Sequence, residues 1–227
     1  MKQRLITVSF FLILILGAGY CADMLTADQF FSEVSDRYAQ ISDYEANVTI
    51  NAGKGGMMAG VLAYKTPALL RLDFSQPADQ VISFNGEQLQ VYIPSLHAIL
   101  SQSASSSSAG GAGLATKDGL RMMKRNYTVA YETGPAPEAL EPGSTEQVVH
   151  LILNRRNVAE GYKTMRLSID PATKLIRRIE GWTVSNSLFV FDFTNIKLNQ
   201  GLAETRFIYD SPASANVYNN FLFDTEN

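Results

Sequence analysis

The sequence predicts a mostly β (α+β) fold: an antiparallel meander of about ten or eleven short strands with one helix ahead of it. Three observations carry this. Gly60–Leu100 breaks into short apolar runs at Lys65-Thr66-Pro67, Gln76-Pro77-Ala78, Asn85-Gly86 and Pro94-Ser95. The runs between the breaks alternate, with Leu70, Leu72 and Phe74 against Arg71 and Asp73, and Leu89, Val91 and Ile93 against Gln88, Gln90 and Tyr92. A period of two places an apolar row on one face of a sheet. Asn85-Gly86 is a hairpin signal, because a type I′ turn needs positive φ at both central residues. The third observation is a single amphipathic helix signature, at Ala27–Gln40.

That helix opens on Thr26-Ala27-Asp28-Gln29, a capping box with a hydroxyl at the N-cap and an amide three residues on. Phe30, Val34, Tyr38 and Ile41 then form one apolar stripe. Tyr44–Ala52 alternates and reads as the first strand. Gly53-Lys54-Gly55-Gly56 is a turn; it lacks the GK[ST] ending and the following helix of a phosphate-binding loop. Met57–Tyr64 is apolar on both faces, so it must be covered on both, by the core and by something else. Ser101–Thr116 is rich in Ser, Ala and Gly and reads as a flexible surface loop. Lys117–Arg125, with Leu120, Met122 and Met123, fits a short helix packed on the core.

Further strands are expected at Asn126–Thr133, Val148–Asn154, Lys163–Asp170, Lys174–Thr183, Ser187–Ile196 and Thr205–Asp210, with a proline- and glycine-rich loop at Gly134–Ser144 and a polar tail from Pro212. In Lys174–Thr183, Leu175 and Ile179 fall opposite Ile176 and Arg178. A meander of this length either closes into a barrel or curls around a covering element. The inward candidates are large and apolar: Leu70, Leu72, Phe74, Leu89, Val91, Ile93, Phe189, Phe191 and Phe193, joined by Leu62 from the two-faced strand.

Composition bounds the function. The chain has 227 residues, of which 46% are hydrophobic and 18% charged, enough for one large β domain or two small ones. A net charge of −3 gives no basis for nucleic-acid binding. Residues 1–22 read as a secretory signal peptide: Lys2 and Arg4, then an apolar run from Ile6 to Leu16, then Gly17, Ala18 and Gly19. The folded domain is therefore expected over residues 23–227, and the chain in an exported compartment. Cys21, the one cysteine, excludes an intramolecular disulfide. It sits where a lipid-bearing cysteine would stand, but the bulky Tyr20 before it fits that pattern poorly. Cleavage near Cys21 or Ala22 is the expectation, and lipidation of Cys21 the alternative.

No chemistry stands out. His97 and His150 lie far apart, and no HExxH, CxxC or GxSxG spacing occurs; no metal site, cofactor or catalytic residue is expected, and no serine shows a histidine partner. Binding is favoured over catalysis.

An ordered set of motifs resembles the LolA family of periplasmic outer-membrane lipoprotein carriers. It runs through Gly60-Val61-Leu62-Ala63-Tyr64-Lys65-Thr66-Pro67, Leu70-Arg71-Leu72, Gln76-Pro77 and Asn85-Gly86 to Tyr92-Ile93-Pro94. Leu167-Ser168-Ile169-Asp170, Phe191-Asp192-Phe193 and Phe207-Ile208-Tyr209 match more weakly. The resemblance covers about residues 26–216. It implies an unclosed antiparallel β-barrel with a helical lid over an apolar cavity. It implies acylated lipoproteins as cargo, an inner-membrane lipoprotein-releasing transporter and an outer-membrane acceptor as partners, a monomer, and the periplasm as location. Leu62, Leu70, Leu72, Phe74, Leu89, Val91, Ile93, Phe189, Phe191 and Phe193 would then line the cavity, with Phe30, Val34, Leu120 and Met123 on the lid. Glu in place of Leu72 or Phe191 is expected to abolish acyl binding with the sheet intact. Two departures stand out: Thr66 replaces the arginine the family often has before the turn proline, and the Ser/Gly insertion is unusual, whereas Arg71 keeps the other common arginine position. The alternatives are a LolA-like lipoprotein anchored through Cys21 that binds lipid or senses lipoproteins, an envelope hydrolase, and a structural protein whose groove takes a partner strand.

Overall fold

The computed structural model describes residues 25–103, 115–158 and 160–219. The signal-peptide and Cys21 expectations lie outside these residues, as does most of the Ser/Gly-rich stretch. Helix α1 (Ala27–Ala39) begins at the expected capping box: Thr26 Oγ1 accepts from the Gln29 amide at 3.2 Å, and Gln29 Oε1 accepts from the Thr26 amide at 2.8 Å. Its buried face is wider than the single stripe, since Phe31 joins Phe30, Val34 and Tyr38.

The strands are β1 (Asp43–Asn51), β2 (Met57–Lys65), β3 (Leu69–Gln76), β4 (Val81–Asn85), β5 (Gln88–Ile93) and β6 (Ala98–Ser103). After helix α2 (Lys117–Asn126) come β7 (Tyr127–Tyr131), β8 (Glu138–Ala139), β9 (Gln147–Arg155), β10 (Tyr162–Ile169), β11 (Ile176–Thr183), β12 (Leu188–Leu198) and β13 (Asn216–Asn219). They form one sheet in the order β13-β6-β5-β4-β3-β2-β1-β12-β11-β10-β9-β7, with β8 against β9. All neighbours are antiparallel except β13, which runs parallel to β6. The ends β13 and β7 do not pair, so the barrel is unclosed.

The hairpin after β4 forms where Asn85-Gly86 predicts it, but its form differs. The two-residue loop is Gly86-Glu87, and Gly86 alone takes positive φ (98°). That is the glycine-first arrangement of a type II′ turn, and Asn85 Oδ1 supports it by accepting from the Glu87 and Gln88 amides at 3.0 and 2.8 Å. A bulge between β10 and β11 also shifts the expected alternation, so that Ile176 and Ile179 are both fully buried.

Residues 101–103, expected in the flexible loop, belong to β6, and Ser101 and Gln102 are buried. Pairing with the edge of β5 outweighs their loop-like composition. The expected strand at Thr205–Asp210 is instead a 3-10 turn (Glu204–Phe207) leading into a strap across the convex side of the sheet. Lys65 Nζ donates to the Leu202 carbonyl (2.6 Å), Arg71 Nη1 to the Ile208 carbonyl (2.8 Å), and Arg206 pairs with Asp73 (2.7 Å). Phe207 is 2% exposed, and the Tyr209 ring lies 5.9 Å from that of Tyr92. The alternation of Phe207 and Tyr209 is real, but it faces the sheet from above instead of extending it. The second cover expected for the two-faced strand is present only at its C-terminal end. Leu62 and Tyr64 face the main core and Ala63 is buried on the opposite face, but on that face Met57 is 57% exposed and Ala59 and Val61 are half-buried, because the strap packs on β3 and β4.

Replacing Phe207 by Ala should lower unfolding free energy by about 3–5 kcal/mol, while the exposed neighbour Ile208→Ala should cost under about 0.5 kcal/mol. Paired denaturant melts measure both; equal losses would remove the strap from the account.

Candidate functional site

The concave side of the sheet gathers one apolar cluster. Leu62, Leu70, Leu72, Phe74 and Leu89 reach it from the N-terminal half of the sheet, and Phe191 and Phe193 from β12. All seven are buried. Phe189 is half-buried and packs against the cluster, whereas Val91 and Ile93 are half-buried at the β5 side and lie outside it. The C-terminal half contributes as much: Leu151, Leu153, Met165, Leu167 and Ile169 belong to the same cluster. Their alternation is visible in the sequence, but nothing local says that β9 and β10 curl back to face β3.

The helices cover this face. Phe30 and Val34 of α1 and Leu120 and Met123 of α2 are all buried in the cluster. Helix α1 is held by several polar bonds. Tyr131 Oη donates to the Leu25 carbonyl (2.9 Å), Lys174 pairs with Glu33 (2.9 Å) and lies over the Phe30 ring, and the Ile176 amide donates to Tyr38 Oη (3.1 Å). Burial pushes the Tyr38 hydroxyl up to about 12 although the Ile176 bond works against it.

Helix α2 is held differently. Its N-cap Thr116 accepts from the Gly119 amide (3.1 Å), and just before it Tyr44 Oη donates to the Ala115 carbonyl (2.8 Å). Tyr44 is buried beside the Tyr64 ring, and burial raises its hydroxyl far above the ordinary value, so it stays a donor at any working pH. Lys124 Nζ then reaches Ser32 Oγ on α1 (2.8 Å).

The space left beneath the helices is small. A void of about 10 Å³, lined by Tyr38, Ile41, Tyr44, Ala115, Leu175 and Phe193, has room for one water. Side chains of α1 and α2 pack into the concave face where the sequence predicts a cavity. Leu72 is wholly buried (0% exposed) and Phe191 nearly so, so a glutamate at either position would enter the core without a partner. Those two changes would unfold the sheet, contrary to the expectation above; variants that separate binding from folding belong at the half-buried Val91 and Phe189.

Thr66 ties its turn to the α1–β1 connection, its amide and hydroxyl both donating to the Ser42 carbonyl (2.8 and 3.1 Å). Arg71 points to the convex strap, away from the helices.

One pairing was not foreseen. His150 Nδ1 lies 3.0 Å from Ser168 Oγ on the convex side of β9 and β10, so a serine does have a histidine partner. Both side chains are buried, at 3% and 0% exposure, which leaves no surface for a substrate and makes the pair a packing feature. Burial lowers the His150 pKa, Arg166 lowers it further, and Glu132, Glu138 and Glu180 partly offset both.

No family model matches the chain. Over 220 residues it is 23% identical to the outer-membrane lipoprotein carrier protein of Pseudomonas aeruginosa, covering 95% of this chain and 99% of that protein. The same protein of Pseudomonas paraeruginosa matches at 23% over the same coverage. The chain is LolA-like. Among solved structures, an uncharacterized conserved protein from Thermus thermophilus shares the fold at TM-score 0.56 and 14% identity, over 83% of this LolA-like chain and 98% of that one. MucB, in the Pseudomonas aeruginosa MucA/MucB complex, shares it at TM-score 0.51 and 14% identity, over 85% of this chain and 63% of that one.

Two outcomes follow. Tyr44→Phe removes one buried bond, costs about 1 kcal/mol of stability and should raise the rate at which an apolar dye enters the core; stopped-flow dye uptake unchanged from wild type would show that the bond does not restrain α2. The lowered His150 pKa acts on stability with a definite sign. The unfolded chain binds this proton more readily, so stability is full above the unfolded value of about 6.5 and declines as pH falls below it. Denaturant midpoints at pH 7.5 and 5.5 should differ less in His150→Gln than in wild type.

Proposed function

We propose that this protein is a periplasmic carrier that shields the acyl chains of lipoproteins and takes them from the inner to the outer membrane. The observation that carries the reading is the continuous apolar concave face, roofed by two helices and not by strands. Strands could leave only by breaking ladder hydrogen bonds. A helix keeps its own backbone bonds and can be exchanged for another apolar occupant.

The energetics fit such cargo. Burying an acyl chain is worth about 0.8 kcal/mol per CH₂, so a lipoprotein with several chains needs an escort through water. Because α1 and α2 fill the face themselves, cargo must displace them, which lowers net affinity and permits release. The whole-length similarity to outer-membrane lipoprotein carrier proteins supports the same cargo class. In this reading residues 1–22 direct export, residues 23–227 act as a monomeric binding domain without a catalytic role, an inner-membrane lipoprotein-releasing transporter loads the carrier, and an outer-membrane acceptor receives the cargo. The mass of the mature N-terminus distinguishes this soluble form from one anchored through Cys21.

The test is displacement of a bound apolar dye by a triacylated lipopeptide, with free fatty acid and phospholipid as competitors. Selective displacement by the lipopeptide is expected. Phe189→Ser and Val91→Gln should each weaken lipopeptide binding about ten- to a hundredfold with the fold retained, from the loss of about 1.5–3 kcal/mol of apolar contact. Wild-type affinity in both would remove these residues from the binding face, and displacement by free lipids alone would overturn lipoprotein as the cargo.

A further inference from the structure

Antiparallel pairing sends alternate connections to opposite ends of the sheet. One end carries the β1–β2, β3–β4, β5–β6, β9–β10 and β11–β12 connections. The β3–β4 turn is polar, with Asp79 at its tip, but each of the other four holds or adjoins an exposed large apolar residue: Met57 (57%), Leu96 (66%), Val158 (82%) and Val184 (63%). Among the described residues, the β2–β3, β4–β5 and β10–β11 turns at the other end hold none. Exposed apolar residues scattered singly need no explanation; four at one rim do.

Three of these tips stand side by side, because strands β2 to β9 are consecutive neighbours in the order β2-β1-β12-β11-β10-β9. Behind them sit half-buried aromatics at the strand ends, Tyr162, Trp182 and Phe189. The Tyr162 ring occupies the space over Gly181, where a Cβ would come within 2.6 Å of it.

The charge of the same rim is one-sided. The three hairpins carry Lys54, Arg155, Arg156 and Lys163 against Glu160 alone, and Arg125 ends the adjoining helix α2, in a chain whose net charge is −3. Arg155 donates to the Val158 and Glu160 carbonyls, Arg156 to the Tyr127 carbonyl and Lys163 to the Asn186 side chain. Among the described residues no carboxylate pairs with any of these three. By contrast Arg71, Arg166, Arg177, Arg178 and Arg206, on the body of the sheet, each hold a carboxylate.

We propose that this rim docks on the surface of an anionic phospholipid bilayer, with the hairpin tips entering the headgroup boundary and Arg155, Arg156 and Lys163, which hold no carboxylate among the described residues, meeting the lipid phosphates. Single apolar side chains projecting from separate turns, backed by amphipathic aromatics and basic residues, suit shallow insertion. They do not form the central packed pocket that a protein hot spot uses. The inference is independent of what binds the concave face.

The sole tryptophan, Trp182, lies at this rim and supplies the readout. The processed protein is mixed with vesicles of phosphatidylcholine alone and of phosphatidylcholine with phosphatidylglycerol. Processed protein is used because the apolar run Ile6–Leu16 would bind lipid by itself. A blue shift of Trp182 emission and co-sedimentation with the anionic vesicles are expected, both reduced by salt. Met57→Ser/Val158→Ser/Val184→Ser should weaken binding about tenfold or more while dye binding to the core is unchanged. Lys54→Gln/Lys163→Gln should reduce the preference for anionic lipid. Wild type that ignores both vesicles, or a triple variant that binds as wild type does, overturns the proposal and leaves the rim to a protein partner.

Discussion

A sheet that curls without closing must have its concave face covered by something other than itself, and the rest of this structure follows from that constraint. Edges β13 and β7 do not meet, and the rows led by Leu62, Leu72 and Phe193 on one side and Leu151 and Leu167 on the other share one core with α1 and α2. Contacts of this kind are non-directional and scale with the apolar area removed from water. One apolar cover can therefore replace another with the hydrogen-bond ladder of the sheet left intact. Phe30, Val34, Leu120 and Met123 supply that cover.

The polar bonds hold the two helices differently. Helix α1 is fixed along its length, through Tyr131, Lys174 and Tyr38. Helix α2 follows residues 104–114, and Tyr44 holds the carbonyl just ahead of it. A single neutral bond contributes about 0.5–1.5 kcal/mol, enough to bias an equilibrium but not to lock it. The convex side has the opposite character: the strap is stitched down by Lys65, Arg71 and Arg206, and it closes the face that the helices do not reach.

Local periodicity made much of this legible. The capping box at Thr26, the alternation through Leu70, Leu72 and Phe74, and the two-faced character of Met57–Tyr64 each report what lies directly beside a residue. Ten of the expected strands are present, and the second cover expected for β2 is found only at Ala63. What the sequence hid was non-local. Alternation at Phe207 and Tyr209 is the same whether the segment pairs beside a sheet or lies across it. The composition of Ser101-Gln102 resembles a linker, yet β5 recruits it as a strand. The Tyr44–Ala115 bond and the parallel pairing of β13 with β6 join segments far apart in the chain, and no short-range pattern encodes either. On the concave face, the apolar residues of the strands were readable one by one; the helix side chains packed against them were readable only as an amphipathic stripe.

Amide hydrogen exchange with and without a saturating triacylated lipopeptide tests the central claim most directly. The account predicts that the amides of Leu120 to Met123 in α2 lose protection when the lipopeptide binds, while those of β3 and β12 keep theirs. Lipopeptide bound with α2 protection unchanged or increased would show that the helix is not the element that cargo displaces, and would contradict the account.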